Sequence, residues 1–137
     1  MKENTNILTL LTPKAKLAYL DDSMSVRQAL EKMKAHGFSS IPLIREKTGE
    51  YLGSISEGDL LWFITSMKTY DIHECEDIPV ASLLRRDYIP AVKVDTKIED
   101  LLRMVMGQNF VPIVDDRNIL MGIVTRRSVI YSLLQCA

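Results

Sequence analysis

The sequence is short of most features that announce a chemistry. It has only two cysteines, Cys75 in an acidic stretch and Cys136. That excludes a disulfide framework and suits reduced thiols. The longest apolar run, Leu60-Leu61-Trp62-Phe63-Ile64, falls far below the roughly 20 residues that cross a bilayer. Neither charge sign dominates: 17 basic against 18 acidic residues give a net charge of −1. No global field therefore asks for nucleic acid or an anionic membrane. There is no P-loop, dinucleotide glycine pattern or nucleophile elbow. His73-Glu74-Cys75 has metal-capable side chains but no second spaced pair, so no metal is expected. With no acid–base or nucleophile constellation, an enzyme is not expected. Glu3, Asn4, Asn6 and Pro13-Lys14 interrupt any secretory-signal pattern, which leaves the cytoplasm as the default expectation.

What is present is a repeat. The 137 residues, 47% apolar and 26% charged, allow one compact domain or two very small ones. Two stretches, 11–68 and 82–137, each read strand, helix, strand, strand, helix. An acidic segment, 69–81, joins them and reads as a loop with at most a turn of helix. Val26, Ala29, Leu30 and Met33 form an i, i+3, i+4, i+7 stripe that Ile98, Leu101, Leu102 and Val105 repeat, so each first helix buries one face. Ser25-x-x-Gln28 and Thr96-x-x-Glu99 read as capping boxes. Apolar strands containing proline follow, Ile41-Pro42-Leu43-Ile44 and Val111-Pro112-Ile113-Val114. Proline cannot donate to a ladder, so each is expected at a strand start or an edge. After polar turns come Tyr51–Ile55 and Ile119–Val124, each handing over to a second helix at a hydroxyl residue, Ser56 or Thr125. Met33, Met104, Met106 and Met121 are expected in the core, and Trp62 partly buried at a cleft or dimer surface.

A motif near 60 residues buries only about 60% of its unfolded surface. Two copies packed together solve that. The expected class is mixed α/β in the α+β sense, two β-α-β-β-α motifs packed sheet to sheet about a pseudo-two-fold axis.

The motif residues resemble the CBS family. Gly53-Ser54-Ile55-Ser56-Glu57-Gly58-Asp59 matches its glycine, two residues, Ser or Thr, two residues, Asp pattern. Gly122-Ile123-Val124-Thr125-Arg126-Arg127-Ser128 matches except at the Asp. The resemblance covers nearly the whole chain. It implies a tandem CBS pair of the stand-alone bacterial type, working as a regulatory module. In such pairs AMP, ADP or ATP binds in clefts between the copies, and shape changes signal to a partner protein, commonly from a homodimer. No cofactor with a catalytic role is implied. Phe110-Val111, Thr125-Arg126-Arg127 and Lys16-Leu17-Ala18 are also similar to Gram-positive CBS pairs that bind cyclic di-AMP. A module that dimerises without any nucleotide is the competing reading.

Several residues are candidates for a ligand, each with a plainer role beside it. Ser56, where a strand becomes a helix, offers phosphate the free N–H groups of a helix N-terminus. Asp59 has two carboxylate oxygens suited to a ribose diol, provided it is not already held in a salt bridge. Ser-x-x-Asp is also a capping pattern. Arg126 and Arg127 carry positive charge at a helix start, where the dipole disfavours it; phosphate binding or salt bridges would account for them. Thr125 takes the place of Ser56 in the second copy. By resemblance, Pro13, Lys16 and Ala18 approach an adenine slot, with Lys14 also near enough to reach phosphate. His36 matches a phosphate-contacting histidine of kinase gamma subunits, or is simply a surface residue.

Overall fold

The computed structural model describes residues 6–67 and 71–136. In chain order the strands are β1 (Thr12–Pro13), β2 (Leu20–Asp21), β3 (Ser40–Ile44), β4 (Tyr51–Ser56), β5 (Val92–Lys93), β6 (Phe110–Val114) and β7 (Leu120–Thr125). The helices are α1 (Val26–His36), α2 (Glu57–Ser66), α3 (Ile98–Gly107) and α4 (Arg126–Cys136). The mixed α/β class holds, with four α-helices and two sheets among the described residues.

The chain divides into two compact units. One runs from Ala18 to Tyr88; the other combines the segment up to Leu17 with the chain from Ile89 onward. In the Ala18–Tyr88 unit the sheet order is β2-β3-β4, with β2 parallel to β3 and β4 antiparallel to it. Helix α1 begins at Ser25, whose hydroxyl accepts from the Gln28 N–H while the Gln28 side chain accepts from the Ser25 N–H. Val26, Ala29 and Met33 then point into a core with Leu20, Ile41, Leu43, Ile55 and Leu60. Fully burying such a side chain contributes roughly 1.5–3 kcal/mol. Cys75 and Val80 complete that core, carried by 3-10 turns at Ile72–Asp77 and Val80–Leu83. Residues 68–70, the last of the first expected motif and the first two of the expected acidic loop, lie outside the described residues.

In the other unit the order is β1-β7-β6-β5. Strand β1 runs antiparallel to β7, with Thr12 opposite Ile123 and Pro13 opposite Gly122. Ile7 and Leu10 join Ile98, Leu101, Val105, Val111, Ile113, Val124 and Val129 in its core. The duplication reaches fine detail: the register shifts between Leu43 and Ile44 in one sheet and between Ile113 and Val114 in the other.

Four expectations need correction. Pro42 and Pro112 sit in the middle strand of their sheets rather than at a start or an edge. They are tolerated because the parallel neighbour pairs only from the next residue on, β2 from Leu43 and β5 from Ile113. Thr96 does not cap α3: its N–H closes a turn on the Lys93 carbonyl, and the helix starts one residue later, after Lys97. Met106 is 83% exposed, so it is not core. Trp62 is 72% exposed on α2, so within the single chain it is not partly buried, which leaves the dimer surface of its two expected places.

Candidate functional site

Each unit builds a corner where its central antiparallel hairpin hands over to a helix. In the Ala18–Tyr88 unit the handover is at Ser56, which is extended and ends β4. Its hydroxyl accepts from the Asp59 N–H at 3.0 Å, and Asp59 Oδ2 accepts from the Ser56 N–H at 2.9 Å. This reciprocal pair satisfies two backbone donors at the start of α2. The remaining oxygen, Oδ1, forms an ion pair with Arg85 Nε at 2.7 Å. The Arg85 guanidinium lies over the Tyr88 ring at 3.8 Å, and the Tyr88 hydroxyl shares a hydrogen bond with Ser40 at 2.9 Å. The Asp59 side chain is 10% exposed and that of Arg85 52%.

The structure therefore brings Ser56 and Asp59 together, but does not leave Asp59 free. Both carboxylate oxygens are engaged within the chain, Oδ2 by the Ser56 N–H and Oδ1 by Arg85. Sequence reasoning missed Arg85 and Tyr88. A signal existed: Arg85-Arg86-Asp87-Tyr88 precedes β5 much as Lys14-Ala15-Lys16 precedes β2. Ala18 packs against the apolar core of this unit. His36 is exposed at the end of α1 and stacks on Phe38, with ring centroids 5.7 Å apart.

The corner in the other unit has a different character. Thr125 ends β7, and its hydroxyl accepts from the Ser128 N–H at 3.0 Å and lies 2.5 Å from the Ser128 hydroxyl. No acid stands in the first turn of α4. Arg126 turns back: its Nε donates to the Val105 carbonyl at 2.7 Å, satisfying a free C=O near the end of α3. Arg127 is exposed and lines an open groove of about 700 Å³. The groove is walled by the Thr9–Thr12 segment on one side and by Thr125, Ser128, Tyr131, Ser132 and Gln135 on the other. The segment is close because Gly122 has no side chain: a Cβ there would lie 2.2 Å from the Thr12 carbonyl oxygen. Pro13 sits in β1 beside this groove, and Lys16 is exposed on the 3-10 turn Lys14–Lys16 that packs against β7. Of the two arginines, Arg127 joins Thr125 in the groove, while Arg126 serves the scaffold.

His73, Glu74 and Cys75 do not converge on a metal. The Cys75 thiol is buried 3.7 Å from the Met67 sulfur, and burial, reinforced by the charges of Glu74 and Asp71, pushes its pKa up. His73 Nδ1 instead contacts Glu76 at 3.3 Å and Arg27 at 3.1 Å. Among the described residues the carboxylates of Asp21, Asp22 and Glu46 come within 4.8 Å of one another. Asp21 accepts a turn hydrogen bond from the Ser23 N–H, and Asp22 accepts one from the Glu46 N–H, 24 residues further along the chain. No helix among the described residues is long and apolar enough to cross a membrane.

No curated protein matches the chain. Solved structures do. CbpB of Listeria monocytogenes, solved in complex with c-di-AMP, is 23% identical with a TM-score of 0.82, covering 93% of this chain and 94% of its own. A further CbpB–c-di-AMP complex is 19% identical at TM-score 0.88, covering 97% of this chain and 87% of its own. CBSX2 in complex with AMP is 26% identical at TM-score 0.78, covering 97% and 98%. The family model of the CBS domain matches twice, at residues 10–66 and 80–135. Two strand-to-helix corners of one design, in a fold shared with those structures and under two matches to one family model, make this chain a member of the CBS-domain family that carries the domain as a tandem pair.

Proposed function

We propose that this CBS pair is a regulatory module that binds an adenine nucleotide and relays its occupancy to a partner protein. CBS pairs are typically regulatory rather than catalytic. The observation that carries the reading is the open groove beside Thr125, Arg127 and Ser128. Its volume, about 700 Å³, is in the range of small-molecule sites. Its polar end combines a helix N-terminus without an acid, two hydroxyls and an exposed guanidinium, which together suit a phosphate. Leu10, Leu11 and Tyr131 supply apolar and aromatic surface for a base. Signalling would draw only on the ligand's differential affinity for two shapes of the module. The module acts without a catalytic cofactor, as a cytoplasmic binding protein rather than an enzyme.

The ligand reading has two branches. AMP, ADP or ATP is supported by the AMP complex of CBSX2, while the complete motif at Ser56 and Asp59 serves it only where Asp59 exchanges its ion pair with Arg85 for the ribose. Cyclic di-AMP is supported by the CbpB complexes and by Ser128, which leaves the groove without a carboxylate to grip a ribose. A homodimer is supported by the apolar residues exposed on α2 (Leu61 and Trp62) and on α4 (Ile130, Leu133 and Leu134).

Calorimetric titration with AMP, ADP, ATP and cyclic di-AMP separates these branches. Ligand at 100 times its dissociation constant should stabilise the fold by about 2.7 kcal/mol, a shift of several degrees in Tm. Arg127→Ala should weaken binding about tenfold, the loss of one charge-assisted contact, without moving Tm. Arg126→Ala should instead lower Tm, because it frees the Val105 carbonyl. Sedimentation of the same samples reads the dimer. If none of the four ligands binds, the nucleotide reading is lost and a dimerising interaction module takes its place.

A further inference from the structure

We propose that Arg85 is a built-in competitor for the Asp59 carboxylate, setting a threshold that a nucleoside must overcome to occupy the Ser56–Asp59 corner. The inference deepens the nucleotide reading and rests on it, since it supposes that Asp59 can receive a ribose.

Asp59 has no spare oxygen facing outward. Oδ2 is committed to the Ser56 N–H and Oδ1 to Arg85 Nε, with Arg85 Nη2 a further 3.5 Å from Oδ2. The Asp59 side chain is nearly buried while that of Arg85 is half exposed. Most ion pairs this exposed on one side hold their partners loosely. This one is supported from beneath, because the guanidinium rests on the Tyr88 ring and Tyr88 is tied to Ser40 through its hydroxyl. Two neutral hydroxyls of a ribose form weaker bonds to a carboxylate than a guanidinium does. A diol alone therefore competes poorly for Asp59. The displaced arginine, already half in water, moves into solvent while the diol takes its place on the nearly buried carboxylate, so the contact acts as a threshold and not as a permanent block. The open groove at Thr125 has no counterpart to this contact, since Ser128 offers no carboxylate to hold.

The test compares wild type with Arg85→Gln, which is shorter, keeps a polar end and loses the charge. Each is titrated with adenosine, AMP and 2′,3′-dideoxyadenosine. Adenosine should bind Arg85→Gln about tenfold more tightly, equivalent to about 1.4 kcal/mol. Dideoxyadenosine, which has no diol, should show no such gain. Adding Asp59→Asn to Arg85→Gln should erase it. Arg85→Lys, which keeps the charge but loses the planar fork, should fall between, and it replaces the glutamine variant should that one fold poorly. Adenosine binding that is unchanged or weaker in Arg85→Gln, with AMP still binding both proteins, would overturn the competitor role and leave the nucleotide reading intact. Failure of adenosine, AMP and cyclic di-AMP to bind either protein would overturn both.

Discussion

The two strand-to-helix corners differ along the motif, Ser56-Glu57-Gly58-Asp59 against Thr125-Arg126-Arg127-Ser128, and in what lies across them. At Ser56 the fourth residue of the motif is Asp59, which closes a reciprocal cap and draws in Arg85. At Thr125 the fourth residue is Ser128, the cap is a pair of hydroxyls, and a groove stays open. The backbone solution is the same in both: an extended hydroxyl residue ends a strand, and its oxygen accepts from the N–H three residues on. The difference therefore lies in charge. An acid at the start of α2 offsets the helix dipole and recruits a cation from within the chain. Its absence on α4 leaves the positive end of the dipole, and the exposed Arg127, available to an external anion. The acid of the motif is, in this chain, engaged on both sides, by the helix cap and by Arg85.

The strand glycines are the most severe test of that comparison. A Cβ at Gly122 would meet the Thr12 carbonyl oxygen at 2.2 Å and Leu11 Cδ1 at 2.9 Å. The carbonyl belongs to a paired strand and cannot rotate away. Gly122→Ala should therefore cost about 3 kcal/mol, the upper end for overpacking, and detach β1 from β7. At Gly53 the neighbour is the Leu84 side chain at 2.8 Å, which can move, but the backbone φ of +150° suits glycine. Gly53→Ala should cost less, about 1–2 kcal/mol of backbone strain. Thermal unfolding of both variants orders them. Ligand titration should show that only Gly122→Ala disturbs the open groove. Equal costs would mean that the Thr9–Thr12 segment yields easily and is not a fixed wall.

Next in size is Asp59→Ala. It removes the partner of the Ser56 N–H and releases Arg85, so the denaturant midpoint should fall by the equivalent of about 1–2 kcal/mol with an unchanged m-value. Ser128→Ala in the other corner should stay within about 0.5 kcal/mol, since the Ser128 N–H keeps its bond to Thr125. A matching loss at the two positions would show that the Asp59 network adds nothing to an ordinary cap.

How much of this was legible in the sequence follows from distance along the chain. The duplicated helices were legible because Val26, Ala29 and Met33, like Ile98, Leu101 and Val105, bury a face by local periodicity. The caps at Ser25 and Ser56 were legible because donor and acceptor stand three residues apart. The Thr96 cap failed on equally good local grounds, because a turn closed on Lys93 used its backbone first. Arg85 was not legible: it reaches Asp59 from 26 residues away, through a segment whose own pattern is only a basic pair before a strand. Nor did sequence place Thr9–Thr12 beside α4, which depends on β1 pairing with a strand more than a hundred residues later. Arg126 and Arg127 looked equivalent in sequence. Helical geometry separated them, turning one toward the Val105 carbonyl and the other into the groove.

The smallest effect is the most direct test of the charge argument, because it makes one corner resemble the other. Ser128→Asp restores the acid that the second motif lacks. The Thr125 hydroxyl would still accept from the N–H at 128, and the new carboxylate would reach back to the Thr125 N–H, as Asp59 does to Ser56. An acid in the first turn of α4 also complements its dipole. The variant should gain about 0.5–1 kcal/mol, a rise of a few degrees in Tm. The same change puts a negative charge at the mouth of the groove beside Arg127. Affinity for a phosphate-rich ligand such as cyclic di-AMP should then fall, while affinity for a neutral nucleoside with an intact diol should rise. Greater stability together with unchanged ligand preference would mean that the residue at 128 matters only as a cap, and that charge is not what separates the two corners.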